Sequence, residues 1–237
     1  MTDTRRTLAL CGGQPFGQYA TNSGRTLPML QTLRLLAITV LVLAFGPLHA
    51  QPAATAPDAM VRDLTNEVLD AIRADKAIAS GDIGRVQKLV DEKVLPYVDF
   101  KKMTQLAVGR GWRNATPEQR TALTREFHTL LVRTYSGALS QVKDHKVQMR
   151  PFRAQPTDTD VLVRTSVVPS RGDPIQLDYR LEKQDAGWKI YDVNVLGVWL
   201  VENYKTQFAG EISAGGVDGL IKSLTERNRQ LAEAKKT

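Results

Sequence analysis

Between Asp160 and Leu196 the chain alternates apolar and polar residues in the way an antiparallel sheet requires. In Ile175–Glu182, Ile175, Leu177, Tyr179 and Leu181 alternate with Gln176, Asp178, Arg180 and Glu182. An extended segment of this kind has one dry face and one wet face. Val161–Val168, before it, is rich in β-branched residues and is joined to it through Pro169-Ser170-Arg171-Gly172-Asp173-Pro174, a turn-forming cluster. After it, Asp185-Ala186-Gly187 turns the chain into Trp188–Val195. The spacing predicts an antiparallel meander, and its apolar face has to be covered.

Helices on both sides of the meander can supply the cover. Asp58–Ala74 carries Val61, Leu64, Val68 and Ile72 at helical spacing, and Ile83–Val94 repeats the pattern with Ile83, Val86, Val90 and Val94 before Pro96. Asp99 is placed to cap a short helix holding Met103 and Leu106, which Gly109 and Gly111 end, leaving Trp112 in a loop that plugs an edge of the core. Thr116-Pro117-Glu118-Gln119 fits a capping box. The helix it opens has the stripe Leu123, Phe127, Leu130, Leu131, Tyr135, Leu139 and Val142. Extended to about Lys143 it would be roughly 40 Å long, enough to span the meander. A strand is expected at Lys146–Phe152. Behind the sheet come Val198–Ile212, a break at Gly215-Gly216, a helix Val217–Leu224 and a polar tail, 227–237, read as a solvated helix end. No internal repeat is present. The pattern implies one α+β domain over 58–226.

The start of the chain reads differently. Leu35–Phe45 is uncharged, preceded by Arg34, broken by Gly46-Pro47 and closed by Leu48-His49-Ala50. That is the layout of a secretory signal peptide, too short for a span of about 20 apolar residues. Cleavage is expected after Ala50, with 51–57 as a linker, and Met29 is a candidate for the true start. Arg5-Arg6 lies too far from the apolar run for a twin-arginine signal, and Leu8–Cys11 has no apolar run before it as a lipoprotein box would. Residues 1–50 hold Arg5, Arg6, Arg25 and Arg34 against Asp3, so their loss takes the net charge from +7 to +4. That is mildly basic, without the clustered stripe that nucleic-acid binding needs. Cys11 is the only cysteine, so the mature chain has neither disulfide nor lipidated cysteine and relies on its core. A soluble, monomeric periplasmic protein is expected.

Catalytic chemistry is thinly represented. His128 and His145 have no partner at metal-ligand spacing and read as surface residues, and there is no nucleophile elbow or phosphate-cradling glycine loop. An isomerase or dehydratase could use Asp178, Tyr179, Tyr191 and Asp192, but Asp178 belongs to a wet strand face and Asp192 interrupts an apolar strand, as a bulge or a turn contact also would. If the sheet curls away from the long helix, Tyr135, Leu139, Val163, Leu177, Tyr179, Val195 and Phe208 line a cavity; otherwise they fill a core. Periodicity does not separate the two.

The residues that follow add a resemblance. Val98-Asp99-Phe100 through Gly109-Arg110-Gly111-Trp112 and Thr116-Pro117-Glu118-Gln119-Arg120, then Leu130–Tyr135, then Leu177–Leu181, Gly187–Val193, Asn203-Tyr204 and Gln207-Phe208 together resemble the MlaC family of periplasmic phospholipid-binding proteins, once grouped with toluene-tolerance factors. The resemblance implies an NTF2-like curved sheet with extra helices, an apolar pocket for acyl tails, and no catalytic residue, metal or cofactor. It implies a carrier moving phospholipid between an outer-membrane lipoprotein-porin complex and an inner-membrane MCE-type ABC transporter, to maintain outer-membrane asymmetry. Periodicity and resemblance together give Phe100, Trp112, Tyr135, Leu139, Val163, Leu177, Tyr179, Val195, Trp199 and Phe208 as expected pocket residues. Leu196-Gly197-Val198-Trp199 stands where the family reads like E-G-V-S, so this region is more apolar, and Trp199 is expected to reshape the pocket mouth.

Overall fold

The computed structural model describes residues 55–139, 142 and 144–234, with the backbone alone at Leu139. The expected signal peptide, its expected cleavage site and the candidate start at Met29 lie outside these residues. Helix α1 spans Pro57–Ala74 and opens on a proline at its first turn, where the missing N–H leaves no gap. A short helix α2, Lys76–Ala79, follows, capped by Asp75, whose carboxylate accepts from the Ala77 and Ile78 amides. The sequence pattern does not signal α2, because one turn is too short to show a period. Helix α3, Ile83–Leu89, widens into a π turn over Val90–Val94. The capping carboxylate of Asp99 accepts from Lys102 N at 2.9 Å and starts α4, Phe100–Val108. Gly109, at φ 61°, ends α4 and turns the chain into α5, Arg110–Asn114. Trp112 therefore sits on a short helix and not in a loop, because a left-handed glycine lets a second helix begin at once.

Helix α6, Pro117–Leu139, begins with a reciprocal capping box: Thr116 N donates to Gln119 Oε1 at 2.9 Å and Gln119 N to Thr116 Oγ1 at 3.2 Å. Its expected extension to Lys143 falls partly on residues outside those described. The five-stranded sheet runs in chain order, β1 Lys146–Met149, β2 Asp160–Val168, β3 Ile175–Gln184, β4 Gly187–Val195 and β5 Val198–Trp199, every pair antiparallel. β1 is shorter than the expected strand, and Phe152 beyond it packs against the sheet core instead. Last comes α7, Leu200–Ala234, broken at Gly216 with φ 68° and ψ −165°, at the expected glycine pair. Among the described residues no helix is long and apolar enough to cross a membrane.

Register decides which side chains face the helices. Val161, Val163, Thr165 and Val167 of β2 share the inner face with Ile175, Leu177, Tyr179 and Leu181 of β3. On β4, Arg180 pairs with Asp192 but Leu181 with Ile190, so Tyr191 is an extra, bulged residue. The bulge keeps Ile190, Val193 and Val195 on the inner face although their spacing breaks strict alternation. It also turns Asp192 and Asn194 to the outer face, where they are buried, at 1% and 7% exposure.

Three apolar clusters follow. α4, α5, α6 and α7 close around Phe127, against which Phe100, Tyr204 and Phe208 pack with ring centroids 5.6, 4.9 and 5.2 Å away. Met60, Val61 and Leu64 of α1 lie on Val161, Val163, Leu181 and Ile190 of the sheet. Ile72, Ile78, Val86, Leu89 and Val132 tie α1, α2 and α3 to α6. The tail after residue 226 is not wholly solvated: Asn228 is buried, and its Nδ2 donates to Glu126 O and Glu126 Oε2, each at 2.9 Å. A polar residue can be drawn inward when it satisfies a neighbouring carbonyl and carboxylate.

Candidate functional site

Past Leu130, one face of α6 stands off the sheet. The second half of α6 presents Tyr135, Ala138 and, past its end, Val142 to the sheet residues Val167, Ile175, Leu177, Tyr179 and Val195, while Leu64, Val68 and Ile72 of α1 form a third wall. Most of these side chains are too short to meet across the gap. They enclose a cavity of about 290 Å³. A second cavity of about 300 Å³ lies between α3, its π turn, α4, α6 and β4, against Val86, Leu89, Val90, Met103, Leu131 and Val193. The two share Val68, Val94 and Tyr135. Tyr135 thus stands in a wall common to both, and each cavity is at the lower end of ligand-pocket sizes of about 300–1,000 Å³.

Little polarity reaches these walls. Burial pushes the Tyr179 phenol above its ordinary value, partly offset by the Thr65 and Thr165 hydroxyls, and burial pushes Tyr135 up as well. Both phenols stay neutral at physiological pH, so neither adds charge to the walls. His128 lines the second cavity. It is not the surface residue expected from sequence: its side chain is 16% exposed, edge-on to Phe100 at 5.3 Å, with Nε2 3.4 Å from Asp91. Burial lowers its pKa, with Asp91 opposing. The aromatic ring of Phe100 brings it inward, a contact between helices that the period of one helix does not show.

The acid-phenol group has other work. Asp192 Oδ1 accepts from Val193 N at 2.9 Å and from Val201 N at 3.0 Å, in the first turn of α7, while Arg180 donates to Oδ2 at 3.2 Å. Burial raises its pKa, opposed by the two backbone donors and by Arg180. It anchors α7 to the outer face of the sheet, the face away from the cavities. Tyr191 donates to Asp160 at 2.7 Å and lies under the Lys102 ammonium, 4.2 Å from the ring. Asp178 stands opposite Arg164 and Asn194 on the outer face. These carboxylates and Tyr179 therefore do not converge. Among the described residues no grouping of histidine, cysteine, aspartate or glutamate could hold a metal.

The structure sorts the ten expected pocket residues. Tyr135, Leu177, Tyr179 and Val195 line the first cavity, and Phe100 lines the second. Val163 and Phe208, at 0% and 1% exposure, belong to the packed clusters. Trp112 is buried with them, the Arg120 guanidinium 5.5 Å from its ring. Trp199 does not shape the cavity mouth: it pairs with Asn194, which fixes it to the outer face, and stacks on the Arg180 guanidinium at 4.0 Å. Leu139 is outside the residues whose side chains are described. The α1 wall was in view as an amphipathic stripe, Val61, Leu64, Val68 and Ile72, but nothing in one helix's period says that its partner stands off.

This arrangement has known counterparts. A profile of the MlaC family, described as "MlaC protein", matches residues 62–226. The chain belongs to the MlaC family. It is 22% identical over 196 residues to the intermembrane phospholipid transport system binding protein MlaC of Haemophilus influenzae, covering 81% of this chain and 92% of that one. It is 26% identical over 208 residues to the toluene tolerance protein ttg2D of Pseudomonas putida, covering 87% of this chain and 94% of the relative. Among solved structures, the phospholipid-binding protein of Ralstonia solanacearum, in complex with a phospholipid, superimposes with a TM-score of 0.72 at 49% identity, over 74% of this chain and 98% of that one. The α+β fold of helices on an open antiparallel sheet is shared with this member.

Proposed function

We propose that this protein carries phospholipid through the periplasm, with acyl tails in the two neighbouring cavities, and that it catalyses no reaction. The observation that carries the reading is the uncharged, apolar space between α1, α6 and the sheet. The phospholipid transport for which the Haemophilus influenzae relative is named, and the phospholipid in the Ralstonia solanacearum protein, support it. Two compartments with Tyr135 in a common wall give each tail of a diacyl lipid its own room. A lipid with about 30 methylenes, each worth ~0.8 kcal/mol, faces a barrier of roughly 20 kcal/mol or more to crossing water alone, so its tails must be enclosed in transit.

Walls that make no charged contact hold a lipid by its tails and release it when the walls move, which suits a carrier better than a tight headgroup grip. On this reading the donor and acceptor are an outer-membrane lipoprotein-porin complex and an inner-membrane MCE-type ABC transporter, the carrier is a monomer, and its leader directs export. Delipidated protein incubated with phospholipid vesicles and separated by gel filtration is expected to elute with lipid in its own fraction. Protein that emerges lipid-free after incubation, while still folded, contradicts the carrier reading.

A further inference from the structure

The turn between β4 and β5 is built unlike the other turns of this sheet. Val195 pairs with Val198, so the connection is the two residues Leu196-Gly197, at φ 51° and 90°. A turn with both central residues at positive φ favours Asn-Gly or Gly-Gly, and a leucine there is strained. Leu196 is the only residue other than glycine at positive φ among those described. It is also the most exposed large apolar residue among them, at 66%, and Val198 beside it is next, at 50%. Burial within the protein explains neither. Trp199, half-buried on Arg180, continues the apolar run.

Two surroundings give this tip a direction. Its first neighbour, Val195, lines the cavity, as do Val167 and Ile175 at the same end of the sheet. The tip thus stands where the apolar space reaches the sheet's edge. On the outer face, a cleft beside Arg180 holds Arg110, Arg113 and Lys205 against one exposed carboxylate, Glu202. Asp192 there is buried and bound to Arg180. Arg110 and Arg113 form no ion pair among the described residues.

We propose that Leu196, Val198 and Trp199 form a docking tip that enters the surface of an anionic phospholipid bilayer, with Arg110, Arg113, Arg180 and Lys205 toward the headgroups. A protruding apolar turn backed by an indole and guanidinium groups fits the water-lipid boundary, where tryptophan and cations are favoured. The tip is convex, so it needs a soft partner that closes around it, as a lipid surface does. Docking there brings the cavity edge to the membrane and shortens the path of a tail between bilayer and protein. That purpose rests on the carrier reading; the docking itself does not.

The test is flotation of the full mature protein with phosphatidylcholine vesicles, with and without phosphatidylglycerol, at low and high salt. The wild type is expected to float with the anionic vesicles and to detach as salt rises. Leu196→Asn/Val198→Ser, which puts a residue tolerant of positive φ at the turn, is expected to fold at least as stably and to lose about tenfold or more in partitioning. Arg110→Ala and Arg113→Ala should each lose about fivefold at low salt. A wild type that ignores both vesicle types overturns the proposal, as does a tip variant that floats like the wild type. So does a tip variant that floats normally but loses a protein partner, which would make the tip a protein contact. Lipid extracted from the same samples reports on the carrier reading separately: floating protein without bound lipid removes the carrier and leaves the tip, and lipid-loaded protein that stays in solution does the reverse.

Discussion

One helix, α6, has two different neighbourhoods along its length. Toward its start, Leu123, Phe127 and Leu130 are 0%, 0% and 4% exposed and are locked by Phe100, Tyr204 and Phe208. Toward its end, Tyr135 and Ala138, with Val142 past it, line an apolar cavity. The two halves differ in what their inward side chains meet. Aromatic rings from α4 and α7 interlock across the first half, while a wall of mostly aliphatic side chains with Tyr135 and Tyr179 leaves a gap in the second. Filling is a matter of volume, and here the volume runs out where a ligand would lie.

The largest effect is expected from breaking the filled half. Phe127→Ala should cost about 3–5 kcal/mol in urea unfolding, because the rings of α4 and α7 lose their common partner. A loss below about 1 kcal/mol would mean that this half is as loose as the other. Next comes Asp192→Ala, which strands the Val193 and Val201 amides and leaves Arg180 unpaired, for about 3 kcal/mol. Burial raises the Asp192 pKa, so the wild type loses stability from this group as pH rises from the unfolded value of about 3.9 through the folded one. Asp192→Asn, fixed in the neutral form, should therefore gain on the wild type across that window. Equal stability differences at both ends would show that the carboxylate is not titrating as described.

A matched pair sharpens the contrast. Val163→Phe in the filled region should cost about 1–3 kcal/mol, whereas Val195→Phe beside the cavity should stay within about 1 kcal/mol of wild type while reducing bound phospholipid. Equal costs would erase the distinction between packed core and cavity wall. The smallest effect concerns Tyr191, which burial and its bond to Asp160 push up to about 12. Its contribution is full below about pH 10 and is lost as pH rises through about 12. Tyr191→Phe should flatten that alkaline limb in a thermal-denaturation series.

Much of the fold was legible because its signals are local. The alternation of Ile175–Glu182, the capping box at Thr116 and the glycine break near residue 216 each act within a few residues, and each stands where expected. The site was legible only in part. Tyr135, Leu177, Tyr179 and Val195 share an inward face that a period reveals, but Phe208 shares the same inward character and ends in a packed cluster. Whether facing layers touch depends on how far apart they are held, and no stretch of one element encodes that distance. Trp199 and His128 were misplaced for a related reason: a bulge at Tyr191 and a ring from α4 set their surroundings, and both are contacts between elements.

The central claim is that the open half of α6 holds phospholipid tails. Native mass spectrometry of protein purified without detergent, paired with lipid extraction, tests it most directly. The account predicts adducts at diacyl phospholipid masses on the wild type, diminished in folded Val195→Phe. A clean apo mass with no lipid in the extract would contradict it, and would leave the cavity as an unfilled gap in a binding module that does not carry lipid.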